Sequence, residues 1–210
     1  MRCARCSRPR GRREVAKRAF DLAVAALLLL LLSPLMVAIA AWIRLDSPGP
    51  VFFRQWRVGR HGVPFRIHKF RTMHVSATGS ALTLDRDPRI TRAGAWLRPR
   101  RLDELPQLID VLAGTMSLVG PRPEVPEYVA HYPAALRERA LSVRPGITSL
   151  GALEFLDEAG QLARAADPER EYIDVILPRK VQLAADYASR ATLLGDLGVL
   201  ARTLRRLVVR

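Results

Sequence analysis

Two carboxylates stand side by side in Leu102-Asp103-Glu104-Leu105-Pro106, and basic residues in turn-rich contexts flank them along the chain. Upstream lie Lys69 and Arg71 in Lys69-Phe70-Arg71-Thr72-Met73, Arg89 in Asp87-Pro88-Arg89-Ile90-Thr91, then Arg98 and Arg101. Downstream come Arg122 in Gly120-Pro121-Arg122-Pro123-Glu124 and Arg144 in Arg144-Pro145-Gly146. Arginine forks pair bidentately with phosphate, so Arg71, Arg89, Arg98, Arg122 and Arg144, with Lys69, are candidates to hold a diphosphate. A hard divalent cation such as Mg²⁺ could bridge the carboxylates of Asp103 and Glu104 to phosphate oxygens. An aspartate can also attack phosphorus and form an acyl phosphate. Each piece alone is ordinary, because acids at a helix start are usually a solvated cap and Gly-Pro-Arg-Pro is usually a rigid turn.

The elements that must position these residues follow from periodicity. Leu105, Leu108, Ile109 and Leu112 recur at helical spacing and Gly114 is a natural stop, so a helix begins near Leu102. Asp103 and Glu104 then fall in its first turn, beside backbone N–H groups that suit an anion. Val51-Phe52-Phe53 and Phe65 to Phe70 read as short strands around a loop from Gly59 to Pro64, and residues 74–86 as a mobile loop. Tyr172 to Leu177 and Val181 to Tyr187 read as helices broken near Pro178. In the tail, Leu197, Leu200, Leu204 and Leu207 share a face apart from most of the arginines, the pattern of a basic helix lying on a bilayer or packing on its own core.

Leu22 to Ile43 carries no charge and is long enough to reach across a hydrocarbon core of roughly 30 Å. Ser33-Pro34 sits at its centre, where proline predicts a break or kink and the Ser33 hydroxyl can satisfy a freed carbonyl. Basic residues flank both ends, so charge gives no vote for opposite sides. A re-entrant hairpin and an ordinary single-pass helix both fit these facts. Asp21 belongs at the interface or paired with Lys17 or Arg18. The 210 residues suit one main domain with appendages, and a formal net charge of +14 beside 49% hydrophobic residues favours a membrane protein with anionic partners. Aromatics are only 6%, too few for the stacking surfaces of a nucleic-acid module, so no nucleic-acid partner is expected. Cys3 and Cys6 form a lone pair in the arginine-rich leader, without the four ligands of a zinc site.

An ordered series of stretches resembles the bacterial sugar transferase family, the monotopic phosphoglycosyl transferases. It comprises Lys17-Arg18-Ala19-Phe20-Asp21, Ser33-Pro34, Asp46 to Gln55, Arg57-Val58-Gly59, Lys69 to Met73, Asp87 to Thr91, Leu102 to Leu108, Met116 to Glu124 and Arg144 to Thr148. The resemblance implies transfer of a sugar 1-phosphate from a UDP-sugar to polyprenyl (undecaprenyl) phosphate, with release of UMP. It implies Asp103 as the nucleophile of a ping-pong scheme, Glu104 as its partner, Mg²⁺ as cofactor, and phosphate binding by Arg98 and Arg122. It also selects the re-entrant hairpin, with Ser33 and Pro34 as the membrane break, and places the active site on the cytoplasmic face of the bacterial inner membrane. The expected partners are the UDP-sugar, the lipid phosphate and membrane lipids, with a homodimer left open. After Arg144 to Thr148 the segment Ser149-Leu150-Gly151-Ala152-Leu153-Glu154 departs from many relatives, which bears on the sugar pocket.

The expected fold is α+β and mostly helical. A basic, disordered leader (1–16) precedes a re-entrant helix-break-helix (17–45), and a small catalytic domain (46–210) combines short strands with interfacial amphipathic helices. The competing reading is a non-catalytic, basic, membrane-anchored interaction protein, which has no need of Asp103-Glu104.

Overall fold

The apolar run forms helix α1 (Arg10–Asp46), which continues through Pro34. Proline cannot donate to the carbonyl four residues back, Leu30, and the Ser33 hydroxyl donates to that oxygen instead at 2.8 Å. The compensation foreseen for the freed carbonyl is present, whereas the expected break does not interrupt the helix. The computed structural model describes residues 10–75, 82 and 87–208, so most of the expected 74–86 loop and both cysteines lie outside the described residues. Residues 10–16, expected to be disordered leader, are helical.

Two stretches of α1 are buried on the rest of the chain. Ala25 packs among Ile67, Leu108, Met116 and Val199, and Ile39 and Ile43 pack among Phe70, Ala93 and Leu97. Between them Leu27, Leu30, Leu31, Leu35 and Val37 are exposed. This is the one helix among the described residues that is long and apolar enough to cross a membrane.

The strands form two small sheets. β1 (Phe52–Val58) and β2 (Pro64–Phe70) make an antiparallel hairpin with Phe52 opposite Phe70 and Val58 opposite Pro64. β3 (Ser117–Val119) pairs in parallel with β4 (Gly146–Thr148). The backbones touch at the end of this pair, where a Cβ on Gly146 would stand 2.0 Å from the Gly120 nitrogen, so only glycine fits. Ahead of β3 come α2 (Arg92–Leu97) and α3 (Gln107–Ala113). The helix expected from Leu102 is thus delayed, with Leu102–Glu104 forming a tight 3₁₀ turn. Its buried face is Leu108 and Val111, while Ile109 and Leu112 are exposed, a rotation from the predicted stripe. Gly114 stops α3 with φ 88 and donates to Asp110 and Val111 carbonyls, as foreseen.

Beyond Pro123 the chain is helical apart from β4. α4 (Pro126–Ala130), α5 (Ala134–Ala140), α6 (Leu150–Glu154), α7 (Glu158–Arg164) and α8 (Pro168–Glu171) are short. A wide π turn, Tyr172–Ile176, leads directly into α9 (Leu177–Arg190). The expected break near Pro178 is absent as an interruption; the ladder widens instead into the π turn just ahead of the proline, which is the second residue of α9. α10 (Leu193–Val208) docks through Asp196, Val199 and Thr203, and leaves Leu194, Leu197 and Leu204 exposed. Packing and an outward apolar stripe thus coexist on different faces.

Polar contacts lock α1 onto this frame. Arg18 donates to the Val111 and Leu112 carbonyls at the end of α3, at 2.7 and 3.2 Å. Asp21 is buried, and it accepts from the Ser117 hydroxyl at 2.8 Å and the Leu118 N–H at 3.4 Å rather than facing an interface or pairing with Lys17 or Arg18. Lys17 pairs instead with Asp196 and donates to the Val119 carbonyl at 3.1 Å. Tyr187 closes the ring, donating to Asp196 Oδ1 at 2.8 Å and the same Val119 carbonyl at 3.0 Å. Asp196 is 1% exposed and joins α1, β3, α9 and α10. Asp196→Ala should therefore cost about 2 kcal/mol, since it removes the acceptor shared by the partly buried Lys17 ammonium and the Tyr187 hydroxyl, and thermal melting in detergent reads this as a lower Tm.

Candidate active site

Asp103 and Glu104 sit in the 3₁₀ turn because the chain reverses sharply after α2. Arg101, at φ 54, takes the left-handed conformation that a non-glycine residue rarely adopts. The two carboxylates are 7% and 5% exposed and open onto one large cavity of about 1530 Å³. They belong to a turn ahead of the seven-residue α3, and not to the helix N-terminus expected from periodicity.

Their surroundings are unequal. Glu104 Oε1 receives Lys69 Nζ at 2.8 Å from β2 and Arg122 Nη2 at 2.7 Å from the loop after β3. Its Oε2 faces Arg101 Nη1 at 3.8 Å. Burial pushes the Glu104 carboxyl up, but the Arg122 and Lys69 charges outweigh it and hold the group well below the usual carboxylate range. Arg122 is correspondingly stabilised as a cation by Glu104. Asp103 has only Lys69 Nζ within ion-pairing reach among the described residues, at 3.9 Å. Its pKa is raised, first by burial and further by the neighbouring Glu104, against the pull of Lys69, Arg98 and Arg122.

The structure divides the basic residues named from sequence. Lys69, Arg98 and Arg122 surround the carboxylates, and Arg98 is held by the Thr72 hydroxyl at 3.3 Å without a carboxylate partner among the described residues. Arg89 lines the same cavity but is gripped by Asp87, Nε to Oδ1 at 2.9 Å and Nη2 to Oδ2 at 2.6 Å. Arg71 has a structural role. Its guanidinium donates to Pro50, Pro48, Ile43 and Ser47 and caps the exit of α1, which leaves no donor edge for phosphate. Arg144 does not line the cavity, and its Nε donates to the Gly114 carbonyl at 2.9 Å. Ser33 and Pro34 stand in the exposed stretch of α1, away from the site.

The cavity also gathers residues no motif announced. Glu158, Tyr172 and Lys180 line it from the C-terminal helices, where polar and aromatic residues occur without diagnostic spacing. Among the described residues no cluster of three or more His, Cys, Asp or Glu exists, so a self-sufficient metal cage is absent. Asp103 and Glu104 supply two hard carboxylate donors, the type a divalent cation takes when phosphate oxygens complete its shell.

A family model described as bacterial sugar transferase matches residues 12–210. The chain is similar to the UDP-glucose:undecaprenyl-phosphate glucose-1-phosphate transferase of Caulobacter vibrioides, 37% identical over 204 residues, covering 95% of this chain and 72% of the relative. The protein of the same name from Escherichia coli is 45% identical over 142 residues, 66% of this chain and 31% of its own length. The UDP-N-acetylgalactosamine-undecaprenyl-phosphate N-acetylgalactosaminephosphotransferase of Aeromonas hydrophila is 45% identical over 136 residues, 63% of this chain and 32% of the relative. These matches to the two larger relatives span about a third of their lengths.

The two carboxylates should respond oppositely to pH. Glu104 is depressed when folded, so its stabilising contribution is present above its ordinary value of 4.5 and fades as pH falls through the folded pKa. Asp103 is raised, so its favourable contribution exists below its ordinary 3.8 and is lost as pH rises through the folded pKa. At neutral pH Asp103→Asn should raise Tm and Glu104→Gln should lower it, with both differences shrinking on acidification in melting curves recorded across pH.

Proposed function

The chain belongs to the bacterial sugar transferase family, and on that footing we propose that it transfers a sugar 1-phosphate from a UDP-sugar to polyprenyl phosphate, releasing UMP. The observation that carries the reading is the inequality of adjacent carboxylates. Glu104 is fixed by Lys69 and Arg122, whereas Asp103 is buried, sparsely paired and open to the same cavity. The names of the relatives supply the substrate class.

In this scheme Arg98 and Arg122 bind the donor diphosphate, and Lys69 orients the Asp103 carboxylate toward it. An Asp103 oxygen attacks the phosphorus that bears the sugar, and the bond to the bridging oxygen breaks as UMP leaves with that electron pair. A phosphate oxygen of the polyprenyl phosphate then attacks the same phosphorus. The Asp103–phosphorus bond breaks, the carboxylate is regenerated, and a polyprenyl-diphosphate sugar departs. Glu104 keeps two cations beside the developing charge without taking part in bond making. A Mg²⁺ ion held by Asp103 and Glu104 would supply charge neutralisation for the diphosphate.

The membrane arrangement we propose is re-entrant, with α1, although continuous through Pro34, entering and leaving on the cytoplasmic face of the bacterial inner membrane, where the catalytic domain sits. A helix spanning roughly 30 Å of hydrocarbon would carry its ends to opposite faces. Here Ala25 and Ile43, toward opposite ends of the apolar run, are both buried on the same folded domain. A net charge of +14 suits anionic headgroups and both substrates. A non-catalytic anchor would have no use for a buried acidic pair opening onto a large cavity.

UMP release from a panel of UDP-sugars, with and without polyprenyl phosphate and Mg²⁺, tests the activity, and silence from every donor refutes it. Asp103→Asn should abolish the covalent phosphosugar adduct detected by mass spectrometry, and a persisting adduct removes Asp103 as nucleophile. Cysteines placed at either end of 22–43 should label from the same side, whereas labelling from opposite sides restores a spanning helix.

A further inference from the structure

The cavity has two ends of different chemistry. Around Asp103 and Glu104 it is crowded with cations, but beyond Arg122 it enters an arm where charge is balanced. There Lys180 Nζ stands 2.7 Å from Glu158 Oε2, 3.9 Å from Glu124 Oε1 and 3.4 Å from the Tyr172 hydroxyl. The same ammonium lies 4.8 Å from the centroid of the Tyr172 ring, against which Tyr128 packs at 4.7 Å. The side chains of Lys180 and Glu124 are 10% and 9% exposed, while that of Glu158 is 29% exposed. Gly151, at the start of α6, closes over the Lys180 stem, where a Cβ would meet Lys180 Cγ at 3.5 Å.

Glu124 and Glu158 are matched there by Lys180 and by Arg57, 3.8 Å from Glu124, so the arm has no net charge to draw a phosphate, and the Lys180 ammonium opposes a metal ion. A neutral polyhydroxylated ring answers the arrangement, since its hydroxyls donate to Glu158 and accept from Lys180. Burial and the Glu124 and Glu158 charges keep the Tyr172 hydroxyl protonated, and it donates to Glu124, which holds that carboxylate in place. A nucleobase would call for an open aromatic face, and Tyr172 is 2% exposed with Lys180 and Tyr128 against its ring. Arg122 couples the two ends, because it interacts electrostatically with Glu124 and Glu158 as well as Glu104. A diphosphate on Arg122 therefore has its attached ring within reach of this arm.

We infer that Glu158 and Lys180, held in place by Glu124 and Tyr172, form the subsite for the hexose of the donor and select among sugars by their hydroxyl pattern. The inference rests on the reading of the cavity as a nucleotide-sugar site.

The test is calorimetric binding of UDP, UDP-glucose, UDP-galactose and UDP-N-acetylglucosamine to the full chain in detergent, as wild type, Glu158→Gln and Lys180→Met. In the wild type the hexose adds affinity over UDP for at least one donor. Each variant should lose about tenfold or more of that increment while UDP affinity stays within about twofold. The order of preference among the three sugars should also change. Glu158→Gln is isosteric at a partly exposed site, so it reports even where Lys180→Met unfolds the chain. An unchanged hexose increment in folded variants, no increment in the wild type, or UDP affinity falling in step with the sugars would each overturn the inference. A hexose increment that the variants lose, in a wild type that releases no UMP, would sink the transfer activity and leave the subsite standing.

Discussion

A carboxylate taken out of water costs several kcal/mol unless cations meet it, and Glu104 is almost wholly buried with Lys69 and Arg122 on a single oxygen. Those cations come from β2 and from the loop after β3, so one ion cluster joins the hairpin, the 3₁₀ turn and the parallel strand pair. The arrangement also explains why its neighbour differs. Lys69 is drawn to Glu104 at 2.8 Å and left 3.9 Å from Asp103, so burial of Asp103 is poorly offset. The close pairing of one acid leaves the other short of cations.

The same economy of buried charge governs how the apolar helix meets the domain. Arg18 caps α3, Arg71 caps the exit of α1, and Lys17 shares Asp196 with Tyr187. Each contact satisfies groups that would otherwise face an apolar surrounding unpaired. Because Asp21 and Lys17 grip β3 and its last carbonyl, the entry of the helix lies against the strand that delivers Arg122. The apolar helix and the ion cluster around Glu104 are thereby built on one frame.

Charge zoning within the cavity gives the proposed chemistry its direction. The cationic end attracts diphosphate, and the balanced arm around Lys180 and Glu158 offers donors and acceptors without net attraction for an anion. Arg122 lies between these zones electrostatically, coupled to acids of both.

The sequence by itself determined the apolar helix, the β1–β2 hairpin and the stop at Gly114, and it singled out Asp103-Glu104 with Lys69, Arg98 and Arg122 as candidates. These are written in local signals: absence of charge, period-two alternation, glycine chemistry and ordered motifs. Only the tertiary structure decided that Arg71 and Arg144 serve backbone carbonyls, that the buried face of α3 is rotated from its leucine stripe, that α10 docks through Asp196, Val199 and Thr203 with Leu197 and Leu204 outward, and that Glu158, Tyr172 and Lys180 reach the site. A guanidinium binds phosphate and carbonyl oxygen with the same donors, so its role depends on which acceptor the fold brings near. A leucine stripe likewise cannot say whether lipid or protein will cover it. Asp103 and Glu104 are the sharpest case, because identical chemistry in adjacent residues became unequal only when folding delivered Lys69 and Arg122 to one of them.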